Sequence, residues 1–412
     1  MTQREQIISI ILLLACFSCL MPFPCEAAEN EIKWVGRIEG VPGRGLFADA
    51  NTQRLYLLQD LYTVSIYDIA IPDSPVFLSQ YNFPEEEWYD KITVHEDHLY
   101  VTGYNGMSII NVNNPLDPYL VGHIDMPYDV MPENRFPWMQ EVVFRNGYAY
   151  VLCYEYMIRN QWNALLVIDV RDLQNPTFKK CYENTNWQWS TRRDIRIFGN
   201  HLYTISDNGR LNIFRIDDDI TIVPVSEISV YKYCGTTLPA SFDISPNGDL
   251  IFFSYCDDLH IIDISTPSSP QVISKTPLTP AAKVKYIDDM LFLYNKGKFS
   301  FVNLSNLQNP YLFYSYSDSS ISSGASELYH NYIYCATGYL TEIFSYQIGN
   351  IPPVIELSQP ATDVYLNRDE SLNVKWTDYD PDSDAAISLF YDTSNTGLNG
   401  KLIVDGIKQS HN

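Results

Sequence analysis

The segment HLYVTGYNGMSIINVNNPLDPYLVGHID, residues 98–125, decides the fold. Its apolar residues fall in three short runs, centred near Val101, Ile109 and Leu120, and glycine or proline separates the runs. Short runs rich in Val, Ile and Tyr between Gly and Pro turns are typical of β-strands. The segment therefore predicts a strand, a turn, a second strand, a proline-bounded turn and a third strand.

The second half of this unit recurs along the chain. The clear copies are VSIYDIAIPDSPVFLSQYNF (64–83), LVIDVRDLQNPTFKKCYE (166–183), LHIIDISTPSSPQVISKT (259–276) and FSFVNLSNLQNPYLFYSY (299–316), and weaker copies cover 211–228 and 341–349. Aligned on one position, the seven copies fall at Asp68, Asn111, Asp169, Arg215, Asp263, Asn303 and Ser345. A further apolar run such as DKITVHED (90–97) precedes each copy, and the copies are about 40 to 58 residues apart. This period is that of a four-stranded propeller blade, so we predict an all-β, seven-bladed β-propeller.

The last copy lacks an outer strand, because SYQIG (345–349) runs directly into Pro352. An unpaired run, EIKWVGRIEG (31–40), stands instead at the start and is similar to PYLVGHID (118–125). A sheet edge left open invites unwanted pairing, and a closed ring removes that edge. We therefore expect residues 31–40 to complete the seventh blade and close the ring.

These repeats resemble the LVIVD repeat family. The matching residues are Leu99 to Val101, Gly106, Ile109 to Val112, Asn114, Pro115, Pro118 and Leu120 to Gly122, and the resemblance extends over roughly residues 31–350. It implies a propeller on a bacterial exported or surface protein, often beside Ig-like modules. The family brings no catalytic residues, so the resemblance informs the fold more than the function.

The N-terminus resembles an export signal. An apolar run covers residues 7–21, and small residues near 25–28 resemble a signal-peptidase site. The run is shorter than the roughly 20 residues of a membrane span. We predict a signal peptide over 1–27, no transmembrane span after its removal, and an extracellular, cell-surface or periplasmic location. The alternative is a lipid anchor at Cys16, in the lipobox-like Leu13 to Cys16.

Charge and cysteine content limit the possible partners and the expected disulfide bonds. The formal net charge of −23 argues against nucleic acid as a partner and suits a soluble protein. Five cysteines remain after the signal, at 153, 181, 234, 256 and 335. An odd number with irregular spacing predicts no disulfide framework, so each is interpreted by default as a small buried hydrophobic residue. Export would nevertheless permit a bond.

With the propeller placed at 28–350, residues 351–412 form a separate segment. SLNVKWTDYDPDSDAAISLFYDTSNTG (371–397) is similar to a strand pair of an Ig-like or fibronectin-like module, but a full sandwich needs about 100 residues. We expect a partial β-sandwich. Acidic residues alternate at Asp378, Asp380, Asp382 and Asp384. They are either calcium ligands or a solvated acidic turn, and calcium is the one cofactor considered.

One face of the propeller is the candidate ligand surface. In a propeller, the loops between blades and the second hairpin turn of each blade open on the same face. Trp88 and Trp138 precede innermost strands, and the repetition also fits packing between blades. Large aromatic side chains with a polar rim are usual in recognition surfaces. The predicted ligand-binding residues are Trp138, Tyr154, Tyr156, Trp162, Trp187, Trp189, Arg192 and Arg193.

The central channel is the second candidate. Residues aligned at the start of the innermost strands are Lys91, Glu141, Asp194, Ser241 and Lys283. Such a mixed ring either holds a small polar ligand or ion, or is solvated and pairs with itself. The repeated Asp68, Asp169 and Asp263 are expected to cap backbone amides rather than to bind metal, since equivalent positions of successive blades lie far apart.

No catalytic signature is present in the sequence: G-x-S-x-G, H-E-x-x-H, a P-loop and a Rossmann fingerprint are all missing. We therefore expect a non-enzymatic binding, adhesion or scaffold protein, monomeric, with a protein or glycan partner. The alternative is a carbohydrate-active propeller hydrolase or lyase in which Glu141 and Asp194 perform acid–base catalysis.

Overall fold

A computed structural model describes most of the chain. The described ranges are 9–15, 30–39, 43–84, 88–104, 106–127, 137–155, 163–183, 192–206, 209–230, 241–278, 281–287, 289–319, 321, 325–337, 340–347, 354–359, 375–379, 386–392 and 401–408. The chain divides into two compact units, one spanning Ile32–Tyr346 and the other combining Met1–Glu31 with Gln347–Asn412.

The strands of the larger unit are grouped below by blade. The first strand of the chain, β1 (Ser9–Ala15), belongs to the smaller unit. The first strand of the larger unit is β2 (Glu31–Ile38). Blade 1 has β3 (Gly45–Asp49), β4 (Arg54–Leu58), β5 (Thr63–Asp68) and β6 (Val76–Asn82). Blade 2 has β7 (Tyr89–His95), β8 (His98–Gly103), β9 (Gly106–Asn111) and β10 (Tyr119–Asp125). Blade 3 has β11 (Pro137–Arg145), β12 (Tyr148–Glu155), β13 (Asn163–Asp169) and β14 (Thr177–Glu183), and blade 4 has β15 (Arg192–Phe198), β16 (His201–Ser206), β17 (Arg210–Ile216) and β18 (Ile222–Ser229). Blade 5 has β19 (Ser241–Ile244), β20 (Leu250–Tyr255), β21 (Asp258–Asp263) and β22 (Gln271–Pro277); blade 6 has β23 (Lys283–Ile287), β24 (Met290–Asn295), β25 (Lys298–Asn303) and β26 (Tyr311–Ser317); blade 7 has β27 (Ser326–Tyr329), β28 (Tyr332–Ala336) and β29 (Thr341–Gln347), and is completed by β2.

The architecture confirms the predicted seven-bladed propeller. Each of the first six blades is a four-stranded antiparallel sheet whose strands follow one another in chain order. The seventh sheet has the order β2-β29-β28-β27, so the N-terminal strand closes the ring as predicted. The first strand of every blade lines the central channel, and the last is the outermost, with an exposed outer face as in β6 and β10.

The core lies between neighbouring blades. Met107 and Ile109 of blade 2 pack in one cluster with Val151 and Leu166 of blade 3, and equivalent clusters join other adjacent blades. Because successive strand residues point to opposite faces of a sheet, each blade contacts both neighbours. Strands buried on both faces read as continuous apolar runs, which explains runs such as residues 164–168.

Closure of the ring buries a carboxylate. Glu342 on β29 is only 9% exposed, and Trp34 Nε1 on β2 donates a hydrogen bond of 2.6 Å to its Oε2. Arg37 lies 3.9 Å from the same oxygen. Ile38 packs in a cluster shared by blades 7 and 1. The closing strand therefore supplies both apolar contacts and the polar partners of a buried acid.

Two glycines mark a close approach between blades. A Cβ on Gly122 would lie 2.0 Å from the carbonyl oxygen of Leu173 in blade 3. A Cβ on Gly36, at the equivalent place in β2, would lie 3.1 Å from the carbonyl oxygen of Asp73 in blade 1. The likeness of residues 31–40 to 118–125 thus has a steric reason, because both outer strands lie against a turn of the next blade.

The repeated acidic or amide residue at the end of the third strand caps a turn. Its Oδ1 accepts the N–H of the residue two positions later in five blades, at 2.8 to 3.1 Å; the pairs are Asp68–Ala70, Asn111–Asn113, Asp169–Arg171, Asp263–Ser265 and Asn303–Ser305. This is the Asx-turn geometry that Asp and Asn favour. Over the ranges given above, no group of three or more His, Cys, Asp or Glu residues is arranged to hold a metal ion.

One cysteine forms a disulfide, a possibility that the sequence left open. Cys256 is disulfide-bonded, and its partner lies outside the described residues. Cys153, Cys181 and Cys335 are free, and Cys153 and Cys335 are buried as expected. Cys256 is fully buried as well, so its burial is as expected; the bond was left open by the sequence because spacing does not reveal which residues of different strands and loops come together.

Five strands of the smaller unit lie among the described residues. They are β1 and, after the propeller, β30 (Val354–Gln359), β31 (Lys375–Tyr379), β32 (Ala386–Asp392) and β33 (Lys401–Lys408). β30 pairs with β31, and β1, β32 and β33 form an antiparallel sheet in that order. β1 lies within the predicted signal peptide, and Cys16 lies outside the described residues. Of the candidate calcium ligands, Asp378 lies in β31, and Asp380, Asp382 and Asp384 lie outside the described residues.

The closing strand should belong to the cooperative unit. We expect Ile38→Ala to lower the free energy of unfolding by about 2–4 kcal/mol, since truncating a buried Ile leaves a cavity. The exposed Lys33→Ala in the same strand is the matched control and should stay within about 0.5 kcal/mol of wild type. Urea denaturation followed by tyrosine and tryptophan fluorescence measures both. Equal midpoints for the two variants would show that β2 does not close the ring.

The cap in blade 3 should be pH-dependent. The Arg171 guanidinium, bonded to Asp169, and Lys179 at 3.3 Å hold the pKa of Asp169 well below its ordinary value. A carboxyl with a lowered folded pKa stabilises the protein above its unfolded pKa of about 3.9 and loses this contribution as the pH falls further. Asp169→Asn should therefore lower the melting temperature at pH 7, and the difference from wild type should shrink below about pH 4.

Asp68→Asn is the control for this cap. Asp68 makes the same turn but has no ion pair in the described part of the chain, and Asn keeps the accepting oxygen. A small effect at both pH values is expected. Parallel pH profiles for the two variants would rule out an electrostatic role for Asp169.

Candidate functional site at the channel mouth

A cavity of about 590 Å³ occupies the channel at the end where the innermost strands begin. Residues of all seven first strands line it. The volume lies in the range of pockets that hold small molecules. The site is therefore built by the ring as a whole and by no single blade.

The cavity is surrounded by charged side chains paired across blades. Lys91 of blade 2 lies 3.3 Å from Glu141 of blade 3. Lys283 of blade 6 donates to Glu327 of blade 7 at 2.7 Å. These side chains are half-buried, so channel water screens the pairs less than bulk water would.

Between these two pairs, blades 4 and 5 contribute two buried carboxylates to the channel region. Arg196 bonds Asp194 within blade 4 and lies 3.9 Å from Asp243 of blade 5. Lys285 of blade 6 lies 3.5 Å from Asp243. Ser241 donates to Asp194 at 3.1 Å. Every carboxylate of this cluster thus has a cation or a hydroxyl as partner.

The two acids singled out from the sequence are shifted in opposite directions. Burial raises the pKa of the Asp194 carboxyl, and nearby Glu141 adds to this while Arg196 opposes it. Burial also works against ionisation of Glu141, but Lys91, Arg196 and Lys283 together outweigh it and lower the pKa of Glu141. A pair of acids with diverging pKa values is the usual pattern of acid–base catalysis. Here both acids also hold the ring together, because each is engaged with a cation of the wall.

An aromatic row lies at the same end of the channel. The rings of Trp88 and Trp138 lie 6.1 and 5.9 Å from that of Tyr104, which stands between them. Trp88 is 42% exposed, and the other two are half-buried. Trp88 and Trp138 each precede by three residues a charged residue of the ring, Lys91 and Glu141. The row, which comprises Trp88, Tyr104 and Trp138, therefore lies on blades 2 and 3 at the same end of the propeller as the cavity, and its residues are not among those that line the cavity.

Gly103 allows the row to form. The Tyr104 N–H donates to the carbonyl oxygen of Trp88 at 2.8 Å. A Cβ on Gly103 would lie 2.0 Å from that same oxygen. A larger residue would push the β8–β9 turn away from Trp88 and open the row.

The predicted site residues are distributed as follows. Lys91, Glu141, Asp194, Ser241 and Lys283 all line the one cavity. Trp138 and Tyr154 are direct cross-strand neighbours in β11 and β12. Arg192 and Arg193 begin β15, with Arg192 opposite Ser206. The residues Tyr156, Trp162, Trp187 and Trp189 lie outside the described part of the chain.

Sequence reasoning missed several residues of the wall. Arg196, Asp243 and Lys285 each lie two positions after a residue that the alignment of strand starts did identify. The period of two in a β-strand would have found them as the second layer of the channel. Tyr104 lies in a hairpin turn without a counterpart in the repeat, so only the spatial contact reveals it.

Comparisons with known proteins address the fold. LVIVD repeats are present at residues 90–126, 139–184 and 243–276, which fall in blades 2, 3 and 5. A comparison with curated proteins found no match. In the described part of the chain, no helix has the length and apolarity needed to cross a membrane.

Solved structures share the propeller at low sequence identity. A functionally unknown protein from Desulfotomaculum acetoxidans has a TM-score of 0.52 and 11% identity, over 84% of this chain and 92% of its own. A protein from Lactobacillus plantarum has a TM-score of 0.55 and 10% identity, over 73% of this chain and 87% of its own. The β-propeller domain of Cps50 (Swd1) from Myceliophteria thermophila has a TM-score of 0.58 and 9% identity, over 77% of this chain and 100% of its own. At such identity the likeness shows the fold alone.

Arg196 should be needed for stability. We expect Arg196→Met to cost about 2–4 kcal/mol at pH 7, because removing one partner leaves buried carboxylates uncompensated. The cost should fall at acidic pH, where Asp194, with its raised pKa, takes up a proton. Arg215→Met, which removes an exposed arginine paired with Asp217, is the control and should leave the urea midpoint close to that of wild type. Urea unfolding at pH 7 and pH 5 is the measurement, and a neutral Arg196→Met would contradict the ion-pair account.

Proposed function

We propose that this protein is an exported or cell-surface binding protein, acting in adhesion or as a scaffold, that recognises a protein or glycan on the face bearing the aromatic row. The observation that carries the proposal is the row itself. Three aromatic rings from two blades stand together, partly exposed, at the end of the propeller where the innermost strands begin.

Physical chemistry favours recognition at such a place. An aromatic ring offers a large apolar face at a small cost in side-chain entropy, and it stacks on sugar rings or packs into a protein surface. The row is held by the Tyr104 backbone hydrogen bond and by the close approach at Gly103, so it is organised before a ligand arrives. Such preorganisation lowers the cost of binding.

The channel supports binding more than catalysis. Glu141 and Asp194 accept bonds from Lys91, Arg196 and Ser241. A general acid must give up its proton to a substrate, and the lowered pKa of Glu141 keeps that carboxylate ionised beside Lys91. Asp194 is already engaged by Arg196 and by the Ser241 hydroxyl. The exposed row needs no such rearrangement to act.

Export is supported by two features of the chain. The predicted signal over 1–27 directs secretion, and the disulfide at Cys256 is a bond that persists in oxidising compartments. We further propose that the smaller unit is a partial Ig-like module that accompanies the propeller, with calcium at the acidic turn 378–384 as its candidate ligand.

The test is a glycan and protein array probed with wild type, Tyr104→Ala and Tyr119→Ala. Tyr119 is 55% exposed on an outermost strand, at the opposite end of the blade, and is the matched control. Tyr104→Ala should weaken binding about tenfold or more, as loss of a central aromatic contact does. Tyr119→Ala should bind as wild type. Equal binding by all three proteins would place the recognition surface elsewhere.

A second candidate function is hydrolysis or elimination of carbohydrate, favoured by the diverging pKa values of Asp194 and Glu141. Incubation of the same proteins with polysaccharides, followed by reducing-end and unsaturated-product assays, distinguishes it. Turnover that Glu141→Gln abolishes, with no array binding, would replace the binding proposal. Absence of turnover in wild type, with binding that depends on Tyr104, would reject the enzyme.

A further inference from the structure

The charges around the cavity do not balance. Among the residues that the structure describes, five cationic side chains, Arg44, Lys91, Arg196, Lys283 and Lys285, stand against four carboxylates, those of Glu141, Asp194, Asp243 and Glu327. The chain as a whole carries a formal charge of −23, so a cationic excess in its one ring of channel side chains runs against the general composition. Such a local excess indicates a site for an anion.

One cationic residue accounts for the excess of positive charge, because the other four are paired with carboxylates. Lys91 is paired with Glu141, Lys283 with Glu327, and Arg196 and Lys285 share the carboxylates of blades 4 and 5. Arg44, which precedes the first strand of blade 1, makes no ion pair with any residue that the structure describes. Its side chain is exposed and borders the cavity. Within the described part of the ring, blade 1 is therefore the place where the series of ion pairs is interrupted.

A second, independent feature lies beside this interruption. Ser326 begins β27 of blade 7, lines the same cavity and is only 4% exposed. Its hydroxyl has no hydrogen-bond partner within the described structure. A buried hydroxyl without a partner is unfavourable by itself, and a ligand that accepts its proton would remove that penalty. β27 and β3 pack side by side, so Arg44 and Ser326 lie on the same side of the channel.

We propose that the cavity binds a small organic anion through its oxyanion group, a carboxylate or a phosphate, with Arg44 as the cation and the Ser326 hydroxyl as a hydrogen-bond donor. A guanidinium matches the oxygens of either group by two parallel N–H bonds. The cavity has room for a molecule of the size of a hexose. This site is separate from the aromatic row, which lies on blades 2 and 3.

Three ligands of one ring size test the proposal by isothermal titration calorimetry at low ionic strength: glucuronate, glucose 6-phosphate and neutral glucose. At least one of the charged sugars should bind at least about tenfold more tightly than glucose, the usual gain from a charge-assisted hydrogen bond. Preference for glucuronate assigns a carboxylate ligand, and preference for glucose 6-phosphate assigns a phosphate ligand.

Variants locate the site. Arg44→Gln should weaken binding of the preferred charged sugar about tenfold or more, and Ser326→Ala should weaken it by a smaller factor. Ser326→Ala should leave the melting temperature of the free protein unchanged or raised, because it removes an unsatisfied hydroxyl. Arg215→Gln, at an exposed arginine of blade 4, is the matched control and should bind as wild type.

Tyr104→Ala separates this site from the proposed recognition face, since it should lose array binding and keep the anion. Three results would overturn the proposal. They are no heat from any of the three sugars up to about 10 mM, equal affinity for glucose and the charged sugars, and unchanged affinity in a folded Arg44→Gln protein. The melting temperature of each variant establishes that it is folded.

Discussion

Burial between neighbouring blades is the interaction on which the structure depends. A single blade is a sheet with two apolar faces, and it cannot remove both from water by itself. Each face is covered by the adjacent blade, as Met107 and Val151 illustrate for blades 2 and 3. The chain can satisfy this requirement everywhere only by returning to its start. The pairing of β2 with β29 is therefore a consequence of the core, and the Trp34–Glu342 bond secures it.

The same constraint creates the channel and its chemistry. Seven first strands arranged around an axis leave a space that their side chains do not fill. Many of the side chains that line it are charged, and they meet their partners across blade boundaries. Lys91 with Glu141 and Lys283 with Glu327 are examples. These pairs tie adjacent blades together near the axis, where the apolar contacts between the sheets end.

Much of the fold followed from the sequence because its signals are local and repeated. Period, turn residues and the aligned Asp68, Asp169 and Asp263 define the blades, and the likeness of residues 31–40 to an outer strand predicts closure. Contacts between blades were predictable only at positions that recur in every copy of the repeat. One feature that was not foreseen is a bulge in the outermost strand of each of blades 1 to 6. The extra residue is Leu78 in blade 1 and Val121 in blade 2. A bulge places two residues opposite one of the partner strand and increases the local twist, and the short apolar runs of the sequence do not show which residue is the extra one.

The part of the candidate site that repeats from blade to blade was also predictable. The starts of the innermost strands are aligned by the repeat, and they do line one cavity. The partner of each charge depends on the neighbouring blade, which is some 50 residues away in the chain, so Arg196 with Asp243 could not be paired in advance. Arg44 and Ser326 stand out only when the other pairs are known. Both lie at the seam between the first and last blades, where the chain closes. A ligand held by both residues would bridge that seam, and by mass action it would stabilise the closed ring over any opened form. Binding in the channel and closure of the propeller are then two aspects of one equilibrium.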